Sequence, residues 1–460
     1  MRHPGLEHIT TASSPRCYDS LKHVQLRREL GVRDLVLFNT AAVVGIRWLA
    51  AAAHIGSGSL LLWVSAAVLF FVPCAMAVAA LGRRFPEQGG VYIWTRAAFG
   101  EWHAFFCAWC YWLNNFFYLP SLAIAGVTMA LYSMGPPLES YASQTGVVTA
   151  LSLAILWIAT GANLLGLRVG KWLGNIGGAA TYLAAAVLVV GGAAAWIAHG
   201  GPATKLDLFP PLDAEKLNFW PQIAFAFGGL ELGAVLGGEI RDPKRSLPRA
   251  AWLSGAAIAV FYVAGTLAML TLLPASGISA VTGLAQAGAA LHSRPLASLL
   301  AALVALGIAG QLNTWMGGVA RLPVVLGADH YLPERFARLH PQWGSPWQAL
   351  LWQTGACSLF LLAMQAGENL RTGYQLLIDM MVVTYFIPFL YLFLAAWRLA
   401  GLRLAAAAGS LVTLLALGLS FVPPGGVAST WMFEAKLIAG SGLTFAAARW
   451  WFARTTKRTS

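Results

Sequence analysis

Residues 225–231 read Phe-Ala-Phe-Gly-Gly-Leu-Glu and lie in the middle of an apolar stretch, 219–238. A second stretch, 34–54, is interrupted in a similar way by Val43-Val44-Gly45-Ile46-Arg47. Each is long enough to cross a bilayer, which takes about 20 residues. Backbone groups left unpaired in hydrocarbon are costly, so an interrupted helix is tolerated only where it lines a cavity or meets a ligand. The two stretches therefore predict two membrane helices broken near their middles, each break followed closely by an ionisable residue.

The rest of the chain agrees. Its 460 residues are 58% hydrophobic and only 10% charged, with a mean hydropathy of +0.66. A soluble domain carries about 25% charged residues, so a long soluble fold and a disordered chain are both excluded. Twelve apolar stretches are read at 34–54, 60–82, 102–132, 147–166, 176–198, 219–238, 250–273, 296–320, 347–366, 373–397, 402–422 and 432–452. They are long and continuous, without the alternation of a transmembrane barrel. The expected fold class is thus an all-α integral membrane protein with twelve transmembrane helices. The broken stretches are the first and the sixth. Five helices per repeat is an odd number, so a second repeat would be inverted in the membrane, and matching breaks in inverted halves point to a transport site at mid-membrane.

The formal charge is +12 and the pI about 9.7. All 30 lysines and arginines but Arg47, Lys205, Lys216, Arg294, Arg371 and Lys436 fall in the two tails or in every second loop. That is the positive-inside pattern. It predicts an even number of spans, cytoplasmic termini and a place in the cell membrane, with the lipid bilayer as partner and no nucleic acid. The N-terminal tail lacks the apolar core of a cleaved signal peptide. The five cysteines, 17, 74, 107, 110 and 357, imply no disulfide framework. Cys107 and Cys110 sit one helical turn apart, but no second pair or histidine cluster completes a metal site. No metal or cofactor is expected.

Chemistry concentrates at the breaks. Freed N–H groups at the start of a half-helix attract an anion, and freed carbonyls at the end of the preceding half attract a cation. A zwitterion presents both charges a short distance apart. Glu231 lies in an apolar run, where a charge is costly and functional by default. It is expected to couple a proton, to gate, or to brace the first break. Arg47 would neutralise a substrate carboxylate or stand in for a coupling cation. Asp379, early in the tenth stretch, would face the outer vestibule or pair with Arg47 or Arg371. Glu239 and Asp242, beside Arg241, Lys244 and Arg245, suggest an inner gate or loop clamp. Gln311 and Asn313 are mid-stretch polar groups that would line the cavity or bond to neighbouring helices.

Three motifs carry a family resemblance over about residues 30–400. Gly89-Gly90-Val91-Tyr92-Ile93-Trp94-Thr95-Arg96-Ala97-Ala98-Phe99-Gly100 resembles the loop after helix two of the amino acid–polyamine–organocation permeases. Residues 225–231, followed by Glu239-Ile240-Arg241-Asp242-Pro243-Lys244-Arg245-Ser246-Leu247-Pro248-Arg249-Ala250, resemble that family's helix six and its following loop. Arg321 with Asp329-His330-Tyr331-Leu332-Pro333 resembles the end of helix eight. The resemblance implies a leucine-transporter-type fold. Its first inverted repeat would span 34–200 and its second 201–400. Two further helices would follow in 401–453, with cytoplasmic tails at 1–33 and 454–460. It implies that Val44, Gly45 and Ile46 meet a substrate carboxylate. The carbonyls of Phe225, Ala226 and Phe227, with Gly228 beside them, would meet the amino group, and Phe225 would be the aromatic gate. The chain departs from the family in two places. A glycine-rich triplet at the first break is reduced to Gly45, with Arg47 following. Thr181 stands near the position of a lysine that replaces sodium in proton-driven members.

The expected function is secondary-active amino acid transport by alternating access, with a proton or a counter-substrate as the second partner. A polyamine or organic-amine carrier is the alternative in the same class. A non-transporting sensor is a more distant one. A membrane enzyme would need clustered histidines, acids or serines at one membrane face, and the nine histidines are scattered.

Overall fold

The computed structural model describes residues 28–207, 209, 219–279, 282–365, 370–421 and 430–459. Arg2, Arg16, Cys17, Lys22, Arg27 and Lys216 lie outside the described residues. So do the side chains of Arg168, Arg371, Lys436, Lys457 and Arg458.

Long Ala-, Leu- and Val-rich runs can satisfy their backbone in lipid only by coiling. Among the described residues the secondary structure is accordingly helical, apart from one isolated bridge. In chain order, leaving aside the single turn Pro136–Glu139 and the short 3-10 turns, the helices are α1 (Val32–Val43), α2 (Arg47–Ile55), α3 (Gly58–Arg84, with a π turn at Ala67–Phe71), α4 (Val91–Phe99) and α5 (Glu101–Ser133). There follow α6 (Thr145–Leu164), α7 (Leu167–His199), α8 (Trp220–Ala226), α9 (Leu232–Val235) and α10 (Pro243–Leu272). Next come α11 (Gly283–Ala290), α12 (Arg294–Val319), α13 (Leu322–Ala328) and α14 (Trp347–Gln365). The last are α15 (Leu370–Ala400), α16 (Arg403–Leu419) and α17 (Thr430–Thr459). Among the described residues seven helices are long and apolar enough to cross a membrane, or eight if the bent pair α1 and α2 is one span. Val190, Ile197, Val260, Leu359, Leu411 and Leu443 stand exposed around the bundle, as apolar side chains do where lipid replaces water.

Several helices outrun the apolar stretches that announced them. α7 begins at Leu167 rather than 176, and α10 at Pro243 rather than 250. Hydropathy reads the thickness of the hydrocarbon, whereas a helix continues into the interface with charged turns. The segment 91–99, expected as loop, is the short helix α4, bounded by Gly90 and Gly100.

The centre of the bundle is α5 and α12, which pack against each other. α7 and α15 flank them, and α10 runs against α3, α7 and α1. α7 crosses α12 with backbones nearly touching. A Cβ on Gly310 would stand 2.5 Å from the Cα of Gly177, so both positions exclude a side chain. One end of the bundle gathers the ion pairs Lys171–Asp34, Arg321–Glu239 and Arg96–Asp329. We call it the basic face. There the chain leading into α1 pairs with the chain leaving α9. Leu30 and Ile240 form a parallel bridge, in which Glu29 and Leu30 donate to the Glu239 carbonyl and Arg241 donates to that of Leu30. At the opposite end, Ser57 bonds the Asp207 carbonyl and Thr204 that of Leu273.

Candidate functional site

α1 ends at Val43, whose successor Val44 is extended, and α2 restarts at Arg47 with its axis turned by 47°. Trp48 N–H bonds the Gly45 carbonyl as the helix resumes. α8 ends at Ala226, and the chain turns through Phe227 and Gly228 before α9. Gly229 has φ +120°, and a Cβ there would meet the Ala42 carbonyl at 3.1 Å. Only glycine combines that backbone angle with that approach. The two breaks thus touch, in a region buried from both ends.

Their loose backbone groups are answered by side chains from two other helices and by Glu231, which is itself held from two more. Tyr262 of α10 places its hydroxyl 2.8 Å from the Val43 carbonyl, 2.8 Å from the Ala226 carbonyl and 3.1 Å from the Gly45 N–H. It accepts from Gly45 and has one proton to offer two carbonyls, so it can serve only one of them at a time. Trp315 and Gln311 of α12 both donate to the Ala42 carbonyl, at 2.8 and 3.2 Å. Glu231 is buried and accepts from Tyr111 of α5 at 2.7 Å, Tyr385 of α15 at 2.5 Å and the Gly229 N–H at 3.2 Å. The carboxylate is therefore tied to the second break itself, and it couples that break to α5 and α15.

On the far side of the breaks from the basic face stands a group of aromatic rings. Phe225 packs against Tyr385 at 4.8 Å, Tyr118 at 5.6 Å and Trp48 at 5.8 Å. The Trp48 ring folds back over Gly45, where a Cβ would come within 2.6 Å of it. Arg47 is buried. Its guanidinium lies 4.4 Å from the Trp48 ring and 5.3 Å from that of Tyr118, and it donates to Ser121 at 3.2 Å. Phe227 turns the other way, into Trp63, Phe71 and Tyr262. Asp379 is buried in α15.

A family model for amino acid permeases matches residues 30–433. The chain belongs to the amino acid permease family. An uncharacterised transporter of Legionella pneumophila is 27% identical over 93% of this chain and 97% of its own length. A probable agmatine/putrescine antiporter of Lactococcus lactis is 24% identical, covering 68% of this chain and 67% of its own. The serine/threonine exchanger of Bacillus subtilis is also 24% identical, over 82% and 85%. The family and these relatives are transporters, and the apolar helices suit a multi-pass membrane protein.

Two residues singled out from the sequence of this permease sit elsewhere than at the breaks. Thr181 bonds its own helix at the Gly177 carbonyl and packs on Gly307 of α12. Asn313 accepts from the Asn163 amide at 2.8 Å and donates to the Gly170 carbonyl at 2.8 Å, which ties α12 to α6 and α7. Asn313 also lines a cavity of about 40 Å3 towards the basic face, with Asp34, Phe38, Lys171, Leu236 and Arg321 around it. That volume suits a few waters, at about 10–15 Å3 for each. Glu239 does not join the cluster of Arg241, Lys244 and Arg245. Its partner is Arg321, in a buried bidentate pair at 2.5 and 3.3 Å. The groups that sequence reasoning missed are Tyr111, Tyr262, Trp315 and Tyr385. An aromatic residue in an apolar helix carries no mark of what its hydroxyl or indole N–H will meet, so a lone sequence held no signal for them.

Proposed function

We propose that this chain is a secondary-active transporter of a small amino acid, held between the breaks of the first and sixth spans and moved by alternating access. The carrying observation is the contact of two interrupted helices deep in the bundle, fastened through the Tyr262 hydroxyl. In this reading Val44, Gly45 and Ile46 face the substrate carboxylate. The carbonyls of Phe225, Ala226 and Phe227, with Gly228, face its amino group. Phe225 closes over it within the aromatic group. Glu231 and Arg47 are the coupling groups, for proton symport or for exchange. Asp379 assists in gating, and Thr181 and Asn313 set the packing of α7 on α12. Alternating access then means that α1–α3 and α8–α10 rock against the rest.

The packing supports two inverted repeats of five spans, 34–200 and 201–400, with two more helices in 401–453. The pairs α3–α10, α5–α12 and α6–α14 join spans five apart. Other contacts come in matched couples under the same shift: α5–α15 with α12–α7, α7–α10 with α15–α3, and α5–α14 with α12–α6. The gathering of basic loops at one face supports cytoplasmic termini in a cell membrane.

Reconstituted protein tests the reading. Uptake of a labelled amino acid above that of empty liposomes is expected, driven by an imposed pH gradient or by unlabelled substrate inside. A pH response without a counter-substrate requirement identifies symport, and the reverse identifies exchange. An organic diamine is the second reading, favoured by the agmatine/putrescine antiporter among the relatives. The Arg47 guanidinium beside the site speaks against it. Putrescine uptake in place of amino acid uptake would establish it.

A further inference from the structure

Asn114 lies in the middle of α5 and is fully buried, yet among the described residues neither its Nδ2 nor its Oδ1 has a hydrogen-bond partner. Buried amides are nearly always paired, because leaving one bare forfeits its hydration with no return. The neighbouring Asn115 follows the rule for its donor, which reaches the Tyr111 carbonyl. Asn114 shares a helical stripe with Tyr111, Tyr118 and Ser121, at spacings of three, four and seven residues. Those three side chains meet Glu231, Phe225 and Arg47. Asn114 is therefore aimed between the carboxylate of the second break and the guanidinium that follows the first.

We propose that Asn114 reads the side chain of the transported amino acid, and that this side chain is neutral and polar, carrying a hydroxyl or a carboxamide. The inference rests on the amino acid reading above. An amide offers a donor and an acceptor together. An ammonium group would satisfy only Oδ1, a carboxylate only Nδ2, and an aliphatic chain neither. A hydroxyl or carboxamide satisfies both. The burial that makes the bare amide unfavourable makes the paired one selective, since a site built to bond a hydroxyl rejects the analogue that lacks it.

The test uses isosteric pairs, threonine against valine and asparagine against leucine, as competing substrates for full-length protein in proteoliposomes. The wild type is expected to favour the polar member of at least one pair by about tenfold. In Asn114→Leu that ratio should fall to within about twofold or invert. Asn114→Ser keeps a shorter hydroxyl and should fall between the two, and it serves if the leucine variant fails to fold. A thermal midpoint for Asn114→Leu no lower than that of the wild type supports a residue kept for a ligand rather than for the fold. A ratio unchanged by either variant, or a wild type that favours the apolar members, overturns the assignment while leaving amino acid transport standing. Failure to carry any of the four while another amino acid is taken up also overturns the assignment alone, and failure to carry any amino acid overturns both.

Discussion

Tyr262 places one hydroxyl where two half-helices end and a third segment begins. Tyr262→Phe keeps the ring, which stacks on Trp63 at 4.2 Å, and removes only the oxygen. The Gly45 N–H and whichever of the two carbonyls holds the hydroxyl proton then lose a partner, at about 1–3 kcal/mol for each group left bare. We expect the thermal midpoint to fall and the uptake rate to drop by about tenfold or more, since the breaks are no longer held in register. Tm measured alongside initial uptake rates checks this, and unchanged rates in the variant would remove Tyr262 from the site. Glu231→Gln is a sharper probe. Glutamine presents one oxygen and one NH2, so the three donated bonds cannot all persist: either the Gly229 N–H faces an NH2, or both tyrosine hydroxyls must turn and accept. If Glu231 carries the coupled proton, uptake driven by a pH gradient should vanish while exchange at equal pH persists. Loss of both to the same degree would assign Glu231 to structure.

The crossing of α7 over α12 depends on two glycines that leave no room for a methyl. Gly310→Ala is expected to push the helices apart and to cost about 1–3 kcal/mol, read as a lower Tm in detergent. Gly355→Ala in α14, where a Cβ meets nothing within 4 Å, should be neutral. At this scale much of the fold was legible from composition. The apolar runs located the long helices, and Gly45 and Gly228-Gly229 located the breaks, because lipid leaves the backbone few choices. What stayed hidden was rotation. Hydropathy in a membrane helix is high on every face, so nothing told Thr181 that it would face Gly307, or Asn313 that it would bond Asn163 and Gly170. The ends of α7 and α10 were hidden too, because their first turns are charged and fall outside the apolar runs. The pairing of Glu239 with Arg321 links positions 82 residues apart, and its neighbours in sequence suggested nearer cations.

At the basic face the molecule as a whole is tied together by contacts between segments of different helices. Lys171 of α7 holds Asp34 of α1 at 2.5 Å beside the small cavity, and both side chains are partly exposed. Such a pair is worth about 1 kcal/mol at most, enough, in the alternating-access reading, to bias the opening of this face. Asp34→Asn should raise the labelling rate of a cysteine introduced at Asn175, which lines that cavity, by up to about fivefold. The charge swap Asp34→Lys with Lys171→Asp should bring the rate back. Cys74, Cys107, Cys110 and Cys357 are buried, so with Cys17 replaced by serine the background is low. An accessible Asn175→Cys whose rate ignores both changes would show that this pair does not govern access. The single rung between Leu30 and Ile240 bears on the same event. It stitches the approach to one snapped helix onto the exit of the other through three hydrogen bonds. If access alternates as proposed, the two stubs should travel as one hinged leaf, and a push on either should be felt by its twin.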